Sequence, residues 1–381
     1  MAIVNPFLEA TQEIIGAGGE TLKSCYQCGL CTGTCPWNLV RSFLVRKLIH
    51  QAQIGLLVEV GDEELWLCAT CGACVERCPR GVEIIDIFRA VRRLGAQYGV
   101  MPKSLKTVVT DLKNLGNPWS EPREKRTDWA KDLGLKTFTP DTEFLYISCC
   151  TPAYDKKVRR MALATVEILK KAGIDFGILG AEENCCGESA RKVGKEDLFQ
   201  NLAQANIKAF KNHGVKKILT SSPHCYHTFK NEYHEFGGDF EVIHITQFIA
   251  QLMEEGKIRP IKSFPKKVVY HDPCYLGRHN KIYEEPRKVL KNIPGLELIE
   301  LPDSREGSLC CGGGGGRIWM ETKKEERFSN LRIQQALEAG AEVLAISCPY
   351  CMLNFDDSLL TMGKEESLKI MDVTEIVREV V

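Results

Sequence analysis

Charge of one sign is what this sequence lacks: Lys plus Arg and Asp plus Glu each number 50 in 381 residues. The chain therefore projects no net field toward nucleic acid or an anionic lipid surface. It lacks any uninterrupted apolar run near the ~20 residues that span a bilayer. Its opening, MAIVNPFLEATQEIIGAGGETLK, has no basic segment, apolar run and small-residue cleavage site of a secretory signal. These absences predict a cytoplasmic protein with no nucleic-acid partner and no direct membrane insertion. The glycine run Gly312–Gly316 is followed by Arg317 and not by Gly-Lys-Ser/Thr, so it is no Walker loop. It also lacks the spacing and acidic partner of a dinucleotide fingerprint. With no flavin or nicotinamide site legible, the chain cannot collect hydride itself.

Cysteine, by contrast, is plentiful: 18 residues, in groups at 25–78, 149–225 and 274–351. Disulfide scaffolds are short and secreted, whereas reducing compartments keep thiols unpaired, so these spacings read as metal ligands. Cys25-Tyr-Gln-Cys28-Gly-Leu-Cys31-Thr-Gly-Thr-Cys35-Pro36 is C-x2-C-x2-C-x3-C-P, and Cys68, Cys71, Cys74 and Cys78-Pro79 repeat it. Three thiolates at this spacing grip one side of a [4Fe–4S] cubane, and the fourth points to the other cluster. One set is then Cys25, Cys28, Cys31 and Cys78; the other is Cys68, Cys71, Cys74 and Cys35. Zinc also takes four cysteines, but its motifs usually offer two C-x2-C pairs. Gly29 and Gly72 keep the two loops tight. Residues 40–67 and the run VEIIDIFRAVRRLGAQYG carry helical spacing, so residues 1–100 are expected to form a mostly helical two-cluster domain. Residues 101–143, with Pro102, Pro118, Pro122, Pro140 and a charged run, read as an irregular surface linker pinned by Trp119 and Trp129.

The remainder is duplicated. Cys150 aligns with Cys274 (offset 124), Cys185-Cys186-Gly187 with Cys310-Cys311-Gly312 (125), and Ser222-Pro-His-Cys225 with Cys348-Pro-Tyr-Cys351 (126). The runs FLYISCC, KKILTSSPHC, KVVYHDPC and AEVLAISCPYC read as strands ending at cysteines, with helical runs between them. That alternation predicts α/β units with parallel sheet, one in 144–262 and one in 263–381. Ligands would converge at the carboxyl ends of the strands. Arg317 could hold a substrate carboxylate or phosphate, or be a solvated loop residue. His224, His227, His271, Arg278 and His279 flank the cysteines and read as supporting or surface residues.

The doubled C…CCG…C-x-x-C pattern resembles the cysteine-rich CCG domains of the heterodisulfide reductase family. A two-cluster module ahead of two such domains resembles the fused C and B portions found in the D-type member of that family. The resemblance implies a noncubane [4Fe–4S] site, acting on disulfides, at Cys274, Cys310, Cys311, Cys348 and Cys351. The first repeat departs from the pattern at Ser222, a poor, hard ligand for iron–sulfur sites. That leaves Cys150, Cys185, Cys186 and Cys225, with Cys149 as a substitute, for a four-thiolate cluster, a zinc or no metal.

Disulfide reduction takes two electrons, which clusters deliver singly. A ferredoxin-like cluster near roughly −400 mV against a disulfide near roughly −270 mV leaves about 130 mV, or about 6 kcal/mol over two electrons. The expected function is an electron-transfer subunit of an anaerobic oxidoreductase complex acting on a thiol–disulfide couple. The alternative is a relay between a flavoenzyme and a quinone or ferredoxin pool. Either requires a flavoprotein or another electron-transfer subunit as partner.

Overall fold

A computed structural model describes residues 6–56 and 63–381. The N-terminal region is helical, as expected: Leu8–Gly16, Val45–Gln53 and Ile84–Gln97 carry the longer helices around the cysteine loops. Of the 40–67 stretch, the helix is confined to Val45–Gln53, with a 3-10 turn at Glu64–Trp66; residues 57–62 lie outside the described residues. In both motifs the residue before the second cysteine and the glycine after it adopt positive φ: Gln27 (67°) with Gly29 (86°), and Thr70 (50°) with Gly72 (79°). Successive left-handed positions fold the backbone tightly enough to bring the C-x2-C-x2-C thiols to one side.

Two four-stranded parallel sheets follow. The first has β1 (Phe144–Ile147), β2 (Phe176–Gly177), β3 (Lys217–Thr220) and β4 (Glu241–His244) in the order β2-β1-β3-β4. The second has β5 (Lys267–Tyr270), β6 (Glu297–Ile299), β7 (Val343–Ile346) and β8 (Lys369–Asp372) in the order β6-β5-β7-β8. The duplication read from cysteine offsets is thus a duplication of topology. β1, β3 and β7 bury nearly every residue, and β5 buries all but Lys267. Such continuous apolar runs suit strands covered on both faces. The repeats share one core, in which Phe144, Tyr146 and Leu219 of the first sheet join Val268, Tyr270 and Ala345 of the second. Among the described residues no helix is long and apolar enough to cross a membrane.

The 101–143 stretch corrects the expectation of an irregular surface path. It contains an α-helix (Lys103–Leu115) and a 3-10 helix (Arg123–Leu133), and Leu105, Leu112, Trp129 and Arg126 are buried. Two of its four prolines stand just before these helices, Pro102 and Pro122 each in the N-cap position, where the missing N–H costs nothing. Trp129 packs edge-on to Tyr146 and Trp119 to Trp319.

A stability prediction arises at the end of β8. The Asp372 carboxylate caps the last helix, accepting from Thr374 N (2.9 Å) and Thr374 Oγ1 (2.6 Å), but its Oδ2 has no partner. Burial outweighs the Thr374 hydrogen bonds and raises its pKa to about 7. The native state holds this proton longer than the unfolded chain. Stability from this group is complete below about pH 4 and is lost as pH rises toward 7, by at most about 1.4 kcal/mol per pH unit. Asp372→Asn is expected to flatten the denaturation midpoint across that window; an unchanged slope would count against it.

Candidate iron–sulfur and cysteine-rich sites

In open α/β sheets, ligands gather outside the carboxyl ends of the strands, where the strand order reverses. Here that point lies between β1 and β3 and again between β5 and β7. Cys149-Cys150 follow β1 and Ser222 to Cys225 follow β3. Cys274 follows β5, and Cys348 to Cys351 follow β7. The Cys-Cys-Gly turns come in from the loops after β2 and β6. The fold therefore delivers all ten CCG-region cysteines to two places, and all ten are buried.

In the second repeat the thiols form a connected set. Cys310 contacts Cys274 and Cys311, and Cys351 contacts Cys311 and Cys348. Hydrogen bonds from Cys310 and Cys351 hold the Cys311 thiol well below its usual range, against the cost of burial. His271 Nε2 lies 3.4 Å from Cys351 Sγ. The ligand atoms of His271, Cys311 and Cys351 all fall within 4.8 Å of one another. Metal-bound histidines usually anchor their second ring nitrogen, whereas His271 Nδ1 has no partner among the described residues. His271 fits a donor to sulfur better than a ligand. Arg287, fully buried, makes a bidentate pair with Asp272 (2.6 and 2.9 Å) and fixes the turn that carries Cys274.

The first repeat mirrors this set. Cys150 contacts Cys185, Cys185 contacts Cys186, and Cys225 contacts Cys186. Hydrogen bonds from Cys185 and Cys225 draw the Cys186 thiol down to about 6. His224 and Tyr350, the middle residues of the two C-terminal turns, pack at a tilt with ring centroids 4.7 Å apart, so each repeat reaches into the other. His224 Nδ1 lies 3.1 Å from Glu188 Oε1. Burial opposes its charge, but Glu188 and the Cys348 thiol outweigh burial and raise its pKa to about 10.

In the N-terminal module, Cys35 sits with the second motif. Burial first, then neighbouring Cys71, raises its thiol pKa, and Cys35, Cys68, Cys71 and Cys74 line one small cavity. Cys31 lies beside Cys25 and Cys28, and the Tyr26 hydroxyl beside Cys28 and Cys78. Cys28 is exposed. The second motif instead faces the second repeat. The Cys71 thiol contacts Cys310, Arg278 donates Nε–H to Cys71 O (2.6 Å), His279 Nε2 lies 2.9 Å from Thr70 O, and Thr70 and Tyr275 share a hydroxyl bond of 2.9 Å. Arg278 and His279 are thus fasteners between domains.

The glycine run has a related role. A Cβ on Gly314 would stand 2.3 Å from Ala69 O, and one on Gly315 2.3 Å from Cys68 O. These glycines admit the cluster loop of the N-terminal module. Arg317 is buried, not solvated, and stacks over Trp37 (5.2 Å).

Comparison with known families places a 4Fe-4S dicluster domain at residues 21–82 and the cysteine-rich domain at 144–230 and 268–356. The chain is 32% identical over 307 residues to the D-type component of the dihydromethanophenazine:CoB–CoM heterodisulfide reductase of Methanosarcina barkeri, covering 78% of this chain and 73% of that one. The chain belongs to this heterodisulfide-reductase D-type family. It is also 38% identical to the EtfAB:quinone oxidoreductase of Syntrophomonas wolfei over 75% of its length, and 38% identical to FadF, a probable iron-sulfur-binding oxidoreductase of Bacillus subtilis, over 74%. It spans only 42% and 41% of those two relatives. A crystal structure of a hypothetical protein from Helicobacter pylori shares the fold, with a TM-score of 0.53 at 11% identity, over 98% of this chain and 72% of that one.

Family membership gives the chain a 4Fe-4S dicluster domain followed by two cysteine-rich domains. Sequence reasoning missed Arg92 and Arg126, which only the tertiary fold brings to the sulfurs or their loops, and Glu188, which directly follows the Cys185-Cys186-Gly187 turn and meets His224.

Proposed function

We propose that the chain carries electrons from a surface motif, through a buried one, to the second cysteine-rich repeat, which acts on a thiol–disulfide couple. In this reading Cys25, Cys28, Cys31 and Cys78 hold one cubane and Cys35, Cys68, Cys71 and Cys74 the other. Cys274, Cys310, Cys311, Cys348 and Cys351 hold a noncubane centre. When bound, such clusters supply single electrons at low potential. One observation carries the reading. Cys310 touches Cys71 of the second motif, while its neighbour Cys311 lines a cavity of about 290 Å³. Electrons and a small substrate would thus reach the same site from opposite sides. The reaction RS–SR′ + 2e⁻ + 2H⁺ → RSH + R′SH then needs an electron donor, and the exposed motif around Cys28 suits docking by a flavoprotein or another electron-transfer subunit.

Of the arginines lining the cavity, Arg327 is paired with Asp357. Among the described residues Arg317 has no carboxylate partner: it donates to Thr322 Oγ1 (2.6 Å) and Glu321 O (3.3 Å), and its Nε is unpartnered there. A substrate with an acidic group would pair with it. Arg317→Gln is expected to raise KM for an acidic disulfide by about 10- to 100-fold, the value of a charged hydrogen bond of about 1.5–3 kcal/mol, and to leave a neutral disulfide unaffected. Equal effects on both would refute the anchor.

The test of the whole reading is anaerobic oxidation of a reduced viologen with a panel of disulfides. Turnover dependent on a disulfide supports it, and none with fully loaded protein overturns it. The higher identity to a relative named as a quinone oxidoreductase favours the second reading in that event, a relay from a flavoprotein toward a quinone, measured as quinone reduction.

A further inference from the structure

The first repeat lacks the cysteine that opens the last turn in the second, yet it has one cysteine more just before Cys150. In the second repeat Cys348 follows β7 in extended backbone (φ −158°), makes no capping bond, and its thiol meets Cys351. Ser222 holds the corresponding place, and its hydroxyl is committed elsewhere. It accepts from Cys225 N (3.4 Å) as the cap of the short helix Pro223–His227.

Cys149 occupies the position of Pro273. Its backbone has φ 76° and ψ 155°, a region almost reserved for glycine, and it is the one cysteine at positive φ among the described residues. This turn brings the Cys149 thiol into contact with Cys225 and with the Ser222 hydroxyl, where the absent cysteine's sulfur would be needed. A strained, buried cysteine beside the gap left by a serine is a relocated ligand, because strain persists only where the surroundings impose it.

Charge points the same way. In the second repeat the buried Arg278 faces Cys274 and Cys310. In the first, Arg126 donates Nη1–H to Cys150 Sγ (3.2 Å), is only 3% exposed, and is held by Glu183 (3.1 Å). This guanidinium comes from the 3-10 helix before the repeat, a different chain segment from the one that supplies Arg278. Two unrelated segments thus set a buried cation against equivalent sulfurs, as two sites with similar thiolate charge require.

We propose that the first repeat is a second five-thiol iron–sulfur site, with Cys149 supplying in place of Ser222 the fifth sulfur beside Cys150, Cys185, Cys186 and Cys225. This is independent of which disulfide, if any, the second repeat accepts.

The test is iron per chain, with electron paramagnetic resonance, on protein purified without oxygen. Four [4Fe–4S] centres give about 16 irons in the unaltered chain. Cys149→Gly, which relieves the backbone and removes the sulfur, is expected to fall to about 12 and lose one signal. Cys149→Gly with Ser222→Cys, which restores the arrangement of the second repeat, is expected to recover both. About 12 irons in the unaltered chain, with or without zinc, overturns the proposal, and so does Cys149→Gly with full iron and unchanged spectra. If Cys149→Gly alone does not fold, the double variant decides: recovery of about 16 supports the proposal and about 12 refutes it.

Discussion

Cys311→Ala is expected to reduce disulfide-dependent oxidation of a reduced viologen to background, a loss of about 10³-fold or more, while both N-terminal cluster signals persist. Cys311 is the second-repeat sulfur that joins three functions. It accepts from Cys310 and Cys351, it lies within reach of His271 Nε2, and it lines the cavity open to a small substrate. Its hydrogen bonds draw its thiol well below the usual range, which suits a metal ligand, since the thiolate and not the thiol binds metal. Alanine removes the sulfur and leaves Cys351 and His271 without their common partner. Iron content should fall by about four per chain, all from the second repeat. Cys28→Ala would differ: Cys28 is exposed on the outer motif, so iron is lost there and the second-repeat signal stays. If Cys311→Ala lost iron but kept disulfide turnover, the chemistry would belong to the first repeat or to none.

What the sequence made legible follows from range. The cysteine motifs are local, so C-x2-C-x2-C-x3-C-P announced its clusters, and the offsets of 124 to 126 residues announced a duplicated sheet. β1, β3, β5 and β7 were readable because they are apolar runs ending in cysteine. β2, β4, β6 and β8 were missed: Phe176–Gly177 is two residues long, and Glu297–Ile299, Glu241–His244 and Lys369–Asp372 each begin on an exposed charged residue. The 101–143 stretch misled because its prolines read as breakers, although Pro102 and Pro122 begin helices. The glycine run could be excluded as a phosphate loop from sequence. Its real neighbours, the carbonyls of Cys68 and Ala69, lie some 245 residues away along the chain, and no local pattern encodes them.

That seam carries the second large effect. Arg92 is fully buried and has no carboxylate partner among the described residues; its guanidinium donates to four carbonyls instead. These are Leu65 O (2.9 Å), Cys68 O (2.8 Å), Lys192 O (2.9 Å) and Gly315 O (3.2 Å). They belong to the N-terminal module, the first repeat and the second, so one side chain ties all three. Arg92→Met keeps the length and apolar stem but removes every donor, leaving four buried acceptors unpaired. The expected cost is about 3–5 kcal/mol, since each buried acceptor left unpaired costs about 1–3 kcal/mol and relaxation recovers part of the total. Arg92→Lys should recover little of it, because a single ammonium lacks the planar fork that reaches four acceptors. Gly315→Ala attacks the same seam without touching charge. Its Cβ would meet Cys68 O at 2.3 Å at φ 63°, so backbone must part from backbone and Cys71 from Cys310. Arg92→Met and Gly315→Ala should keep their full iron yet pass electrons from the N-terminal clusters to the second repeat more slowly, because the Cys71–Cys310 contact lengthens. Flash reduction of the N-terminal clusters, followed by the rise of the second-repeat signal, measures that step directly. Full iron with an unchanged transfer rate in both variants would mean that electrons reach the second repeat by a route other than the Cys71–Cys310 contact.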